Sequence, residues 1–141
     1  PQNTGNIGRL SLGVGARLHL VKPLGFDISE KAVRRAGLDY WKNVDLQIHE
    51  NQAEFIAWME QGKHTAFMLS TKATESLAQV RIPKGSVLVF GPETRGLSEE
   101  MRSYSQTVKI PMTGNIRSYN LSNSVAIAAY YALSQISPDW L

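Results

Sequence analysis

Apolar residues recur along the chain with two different periods, and each change of period marks an element. Ile7, Leu10 and Val14 follow helical spacing behind Asn3, Thr4 and Asn6, whose side-chain oxygens suit an N-cap. A first helix is predicted over residues 6–14, closed by Gly13 and Gly15. Arg17-Leu18-His19-Leu20-Val21 alternates and then meets Lys22-Pro23-Leu24-Gly25, the pattern of a strand running into a turn. Ser29 stands where it can cap a short helix reaching Ala36, with Gly37 behind it. Asn51-Gln52-Ala53-Glu54 has the form of a capping box, and Phe55, Trp58 and Met59 share one face of the helix it opens, with Gly62 after them.

The period then shortens. Thr65-Ala66-Phe67-Met68-Leu69-Ser70-Thr71 is nearly continuous in apolar side chains, as a strand buried on both faces should be. Residues 86–90 form a second such run and residues 107–112 a third, each ending at a turn rich in polar residues. Ser98-Glu99-Glu100 opens a short helix with carboxylates at the positive end of its dipole. Ser122 or Asn123 is the expected cap of a last helix over residues 124–135, dense in Ala, Val, Ile and Tyr. A helix apolar around most of its circumference needs burial on more than one side, which in so small a domain implies a subunit interface. Strands alternating with helices predict an α/β fold with a mostly parallel sheet covered on both faces, and residues 1–141 as one domain.

Composition narrows the class without fixing the function. The 141 residues are 43% hydrophobic, enough for one domain with a core and too few for two. No apolar run approaches membrane-spanning length and no basic-then-apolar leader is visible within the sequence, so a soluble, cytoplasmic protein is expected. Zero cysteines exclude disulfides and thiolate metal sites. His19, His49 and His64 are isolated in sequence and are read as ordinary side chains, so no metal is expected. A formal charge of +3 is compatible with an RNA partner but does not require one.

Open parallel sheets bind ligands beyond the carboxyl ends of their strands. Three such ends are in view: Leu69-Ser70-Thr71-Lys72, Phe90-Gly91-Pro92-Glu93, and Ile110-Pro111-Met112 followed by Arg117-Ser118-Tyr119-Asn120-Leu121-Ser122-Asn123. They offer backbone polar groups, small hydroxyls and apolar walls, a mixture suited to a nucleoside. On spacing alone, Gly91 and Gly96 also read as turn residues, and Glu93 and Arg95 as a surface ion pair. Gly5, Gly8, Gly13 and Gly15 lack the dinucleotide-binding spacing, and no Gly-Lys-Ser/Thr phosphate loop occurs. Ser118 and Ser122 have no convincing His and Asp relay, which leaves a hydrolase triad without support.

Four segments taken together are more specific. Asn3-Thr4-Gly5-Asn6-Ile7-Gly8-Arg9, Arg34-Arg35-Ala36-Gly37-Leu38-Asp39-Tyr40, Phe90-Gly91-Pro92-Glu93-Thr94-Arg95-Gly96-Leu97, and Ile110-Pro111-Met112 with residues 117–123 closely resemble the SPOUT-class methyltransferases, in order and across nearly the whole chain. Within that class the resemblance is to the TrmL (YibK)-like group. It implies an α/β fold with a C-terminal deep trefoil knot, a homodimer, S-adenosylmethionine as methyl donor, and 2'-O-methylation of the wobble ribose, cytidine or modified uridine, in the anticodon region of tRNA. The family's first strand would stand before Pro1 and is missing from this sequence.

By the same resemblance, Leu69, Thr71, Gly91, Ile110, Ser118 and Leu121 match cofactor-binding positions. Asn3, Arg9, Glu93, Ser118 and Asn120 match the polar positions of the active site, with Arg9 as the catalytic candidate. Three residues depart from the pattern: Gly8 stands where an aliphatic residue is usual and is expected to loosen the helix beside Arg9, Tyr119 replaces Met or Leu, and Tyr131 replaces an acidic residue. Two alternatives stand beside this reading. A ribosomal RNA ribose methyltransferase would ordinarily carry an added RNA-binding domain. A non-catalytic knotted RNA-binding protein would have no need to keep Arg9, Glu93, Ser118 and Asn120 together.

Overall fold

The computed structural model describes residues 2–22, 39–91, 99–114 and 119–137. The helix expected over residues 29–36 lies outside them, as do Pro92, Glu93, Arg95, Gly96 and Ser118. The chain divides into two compact units, Pro1–Phe55 and Ile56–Leu141. Among the described residues every strand pairing is parallel, in a two-stranded sheet within the first unit and a three-stranded sheet within the second.

The first unit opens with α1 (Gln2–Val14), four residues earlier than the N-cap candidates imply. Asn3, Thr4 and Asn6 are therefore inside the helix. Their modest propensity cost is outweighed by tertiary packing of the first two turns. Gly5 and Gly8 are both buried there. The Gly5 carbonyl accepts the Tyr40 hydroxyl at 2.7 Å, and a Cβ built on Gly8 would lie 2.6 Å from Trp41 Cζ3. Tyr40 and Trp41 belong to a 3-10 turn, Asp39–Asn43, which the sequence pattern did not disclose. Gly8 thus seats an indole ring against the helix. Gly13 lies within α1, and the helix ends at Gly15, whose φ of +70° allows Ala16 N–H to reach the Ser11 carbonyl at 2.9 Å.

β1 (Leu18–Val21) pairs in register with β2 (Leu46–His49), a strand missed although Val44 to His49 alternates. The histidines on these strands are not isolated. His19 Nδ1 lies 2.9 Å from His49 Nε2, and Phe55 meets the His49 ring edge-on at 5.0 Å between centroids. Only one proton fits between those two nitrogens. His49 is buried, and burial holds its pKa below the ordinary 6.5, partly offset by the charge of Glu54.

α2 (Gln52–Gln61) starts as its sequence suggests, with Asn51 Oδ1 accepting Glu54 N–H at 2.8 Å. It ends at Gln61, and the residue that turns the chain is not Gly62 but Lys63, which takes the left-handed conformation with φ of +52°, while His64 N–H closes onto the Met59 carbonyl at 3.0 Å. The C-terminal glycine and the left-handed residue are here different positions.

In the second unit β3 (Ala66–Leu69) lies between β4 (Val87–Val89) and β5 (Gln106–Val108). Ala66, Phe67 and Met68 are all buried, as expected of a central strand covered on both faces. α3 (Glu99–Tyr104) packs on β3 and β5, and Tyr104 donates its hydroxyl to the His64 carbonyl at 3.1 Å. β5 is shorter and earlier than the predicted residues 107–112, because Lys109 leaves the ladder to bridge Ser76. α4 (Leu121–Ile136) begins three residues before the predicted start. Asn120, not Ser122 or Asn123, is its cap, with extended backbone and Oδ1 accepting Ser122 N–H at 2.9 Å. Phe67, Leu77, Val80, Ile82, Val108, Ala128 and Ala132 form the core between strands and α4.

Replacing Gly8 by Ala adds helix propensity worth about 1 kcal/mol but drives a methyl into a rigid ring, at about 1–3 kcal/mol. Gly8→Ala is expected to lower the unfolding free energy in urea by about 1 kcal/mol, whereas Gly13→Ala, with nothing within 4 Å of the added carbon, is expected to raise it by about 0.5–1 kcal/mol. The His49 environment sets a pH dependence. The unfolded chain binds the proton more readily, so stability is full above 6.5 and falls as pH drops from there through the lowered folded value. Thermal midpoints measured between pH 7 and pH 5 should decline in the wild type and decline less in His49→Gln; equal slopes would show that His49 is not responsible.

Candidate functional site

The carboxyl ends of the three strands in the second unit form one edge. Parallel register places Leu69 beside Val108 and Met68 beside Val89, so the chain leaves all three strands in the same direction. β3 passes into Ser70-Thr71-Lys72, where Ser70 N–H extends the ladder to the Val108 carbonyl at 2.9 Å and Ser70 Oγ accepts Lys72 N–H at 3.2 Å. That local hydroxyl turn leaves Thr71 exposed. β4 passes into Phe90 and Gly91, both half-buried, and β5 into Lys109, Ile110 and Pro111.

Leu69, Phe90 and Ile110 are partly buried and pack on the core cluster. Each therefore offers an apolar flank at the strand ends without being enclosed. The third end is drawn toward the start of α4, where Tyr119 Oη stands 3.4 Å from the Pro111 carbonyl. Asn120 is exposed, and its Oδ1 also accepts the Ser122 hydroxyl at 2.7 Å, while Leu121 is half-buried on the first turn. The helix N-terminus, with its outward N–H groups, thus lies next to the exit of β5.

The structure gathers Leu69, Ile110, Asn120 and Leu121 within one unit, with Gly91 two residues past the end of β4. Asn3 and Arg9 belong to the first unit, both on α1. Six residues apart, they do not share a helical face: Arg9 is exposed and Asn3 half-buried. Glu93 and Ser118 fall outside the described residues.

Sequence reasoning missed the support beneath the third strand end. Ser76 and Gln79 form a reciprocal capping box around a 3-10 turn, Leu77–Gln79. Lys109 N–H donates to the Glu75 carbonyl at 2.9 Å, and Leu77 N–H to the Lys109 carbonyl at 2.7 Å. The signal was present as Ser-Leu-Ala-Gln, a capping-box spacing without the long apolar run that usually follows one.

An edge of this kind suits a ligand with a flat apolar part and hydrogen-bonding edges. Among the described residues it shows no nucleophile paired with a base. Among the described residues, no group of three or more His, Asp or Glu side chains could hold a metal ion. No described helix is long and apolar enough to cross a membrane.

Comparison with known proteins agrees with this architecture. The profile of the SpoU rRNA Methylase family matches residues 1–130. The tRNA (cytidine(34)-2'-O)-methyltransferase of Methylovorus glucosotrophus (strain SIP3-4) is 46% identical over 138 residues, 96% of this chain and 88% of that protein. A solved structure reported as "Structural insights into the 2-OH methylation of C/U34 on tRNA" superposes with a TM-score of 0.86 at 45% identity, covering 96% of this chain and 88% of that one. The SpoU methyltransferase AviRb from Streptomyces viridochromogenes, solved in complex with AdoMet, shares the fold at a TM-score of 0.79 and 24% identity, over 94% of this chain and 55% of its own. With its α/β architecture, its parallel strands and a profile match over nearly its full length, the chain belongs to the SpoU rRNA Methylase family.

Proposed function

We propose that this chain is an S-adenosylmethionine-dependent methyltransferase that modifies the ribose 2'-hydroxyl of the wobble nucleotide, cytidine or modified uridine, in tRNA. The observation that carries the reading is 46% identity across 96% of the chain to a relative named for that activity. In this reading residues 1–141 act as a single catalytic domain, cytoplasmic and homodimeric, with the C-terminal trefoil knot of its class. Ile127 and Tyr130, exposed large apolar side chains on α4, favour a second copy against that helix.

The strand ends fit the methyl donor. Adenosine requires an apolar slot and edge hydrogen bonds, and Leu69, Phe90 and Ile110 present half-buried apolar flanks beside open backbone. Leu69, Thr71, Gly91, Ile110, Ser118 and Leu121 are the residues assigned to hold it. When bound, S-adenosylmethionine supplies a methyl group already activated by its sulfonium charge. The work left to the protein is mainly positioning and the handling of one proton.

Asn3, Glu93, Ser118 and Asn120 are assigned as polar groups that orient the ribose. Asn120 keeps its amide NH₂ for that purpose while its oxygen caps α4. Arg9, exposed on α1, is assigned to orient the 2'-hydroxyl or a neighbouring phosphate and to stabilise developing alkoxide charge. A guanidinium is a poor base, so the hydroxyl proton is expected to leave to phosphate or water.

Incubation with total tRNA and methyl-labelled S-adenosylmethionine, followed by nucleoside mapping, is expected to place label on the ribose at position 34. Label on a base would overturn the assignment. Arg9→Ala is expected to reduce turnover by at least about 10²-fold with little change in S-adenosylhomocysteine affinity by calorimetry; a matching loss of affinity would remove Arg9 from its catalytic role.

A further inference from the structure

The last turns of α4 make contacts that none of the signature motifs accounts for. Gln135 Oε1 accepts Ile82 N–H at 2.8 Å, and its Nε2 donates to the Val80 carbonyl at 3.1 Å. One primary amide thus satisfies the backbone of residues 80 and 82 much as a neighbouring strand would. Tyr131, one turn earlier on the same helical face, donates its hydroxyl to the Ala78 carbonyl at 3.1 Å. α4 therefore grips residues 78–82 at three backbone groups.

That segment continues directly from the support of the third strand end. Leu77 and Glu75 hold Lys109 through two backbone hydrogen bonds, and Ile110 is the next residue. The space between is filled by Leu77, Val80, Ile82, Val108, Ala128 and Ala132, all buried. The opposite end of α4 carries Asn120 and Leu121 beside the same strand exit. A continuous strut therefore runs from Gln135 through residues 82–75 to Ile110, and back along the rigid helix to Leu121.

We propose that Gln135 and Tyr131 are positioning residues for the methyl-donor pocket. By clasping residues 78–82 they fix the distance between the Ile110 wall and the N-terminal turn of α4. This rests on the reading of those strand ends as the S-adenosylmethionine site. Such sites depend on supports that hold their walls to a fraction of an ångström. The clasp acts on donor affinity and leaves the chemical step alone.

The test uses the full chain, with S-adenosylhomocysteine as the calorimetric probe and thermal unfolding in parallel. Gln135→Met keeps the length and removes both hydrogen bonds; it is expected to weaken the probe about tenfold, the scale of two neutral hydrogen bonds. Tyr131→Phe is expected to weaken it about threefold. KM for the donor should rise in parallel, with kcat at saturating donor changed less than about twofold. Val44→Ala is the control: it thins the buried core of the first unit and touches no part of the strut, so it should lower the midpoint and leave affinity unchanged.

Unaltered affinity in Gln135→Met overturns the proposal, as does an equal weakening in Val44→Ala, or a fall in kcat with KM unmoved. Should Gln135→Met fail to fold, Tyr131→Phe decides, and wild-type affinity there overturns it. Wild-type protein that does not bind the probe overturns the donor-site reading and this inference together. Binding by wild type with unaltered variants overturns the clasp alone.

Discussion

The backbone of β5 imposes the constraint on which the second unit depends. β5 flanks β3 in the order β4-β3-β5, and a flanking strand leaves a row of amides and carbonyls that must find partners if it is buried. Val108 is fully buried, so Lys109 cannot simply turn to solvent. Glu75 and Leu77 meet it instead, which obliges the chain after β3 to return alongside β5 before it reaches β4. The 3-10 turn at Leu77–Gln79, the burial of Val80 and Ile82, and the docking of α4 all follow from that return.

Much of the fold was legible because its signals were local. The amphipathic run at Phe55, Trp58 and Met59, the unbroken apolar run at Ala66 to Leu69 and the acidic start of α3 each carry their period within a few residues. The errors occurred where a distant residue decided. Asn3 and Thr4 look like caps until Tyr40 and Trp41 are seen packing on the turns around them. His19 and His49 look isolated because thirty residues separate them, and only strand register brings them together. Asn120 was passed over as a cap because Leu121 and Ser122 do not by themselves declare a helix, whereas the hydrogen bond to Ser122 N–H does.

The candidate site was legible in a different way. Neither glycine spacing nor charge pointed to it; the ordered set of motifs did, and the structure adds that the exit of β5 at Pro111 meets Tyr119 just before α4. What the motifs could not convey is how those neighbours are held. A side-chain amide bonding to backbone 53 and 55 residues away leaves no local periodicity, and Gln135 reads in sequence as one more polar residue near a helix end.

The contact between Gly8 and Trp41 makes two positions inseparable. With Trp41 Cζ3 where a Cβ at residue 8 would nearly touch it, the volume available is shared, and each residue is acceptable only in view of the other. A bulkier side chain at 8 becomes tolerable once the ring at 41 shrinks. The two substitutions should therefore be non-additive, the double change recovering part of what each loses alone. The departure at Gly8 is in this sense half of an exchange whose other half is a tryptophan 33 positions along the chain.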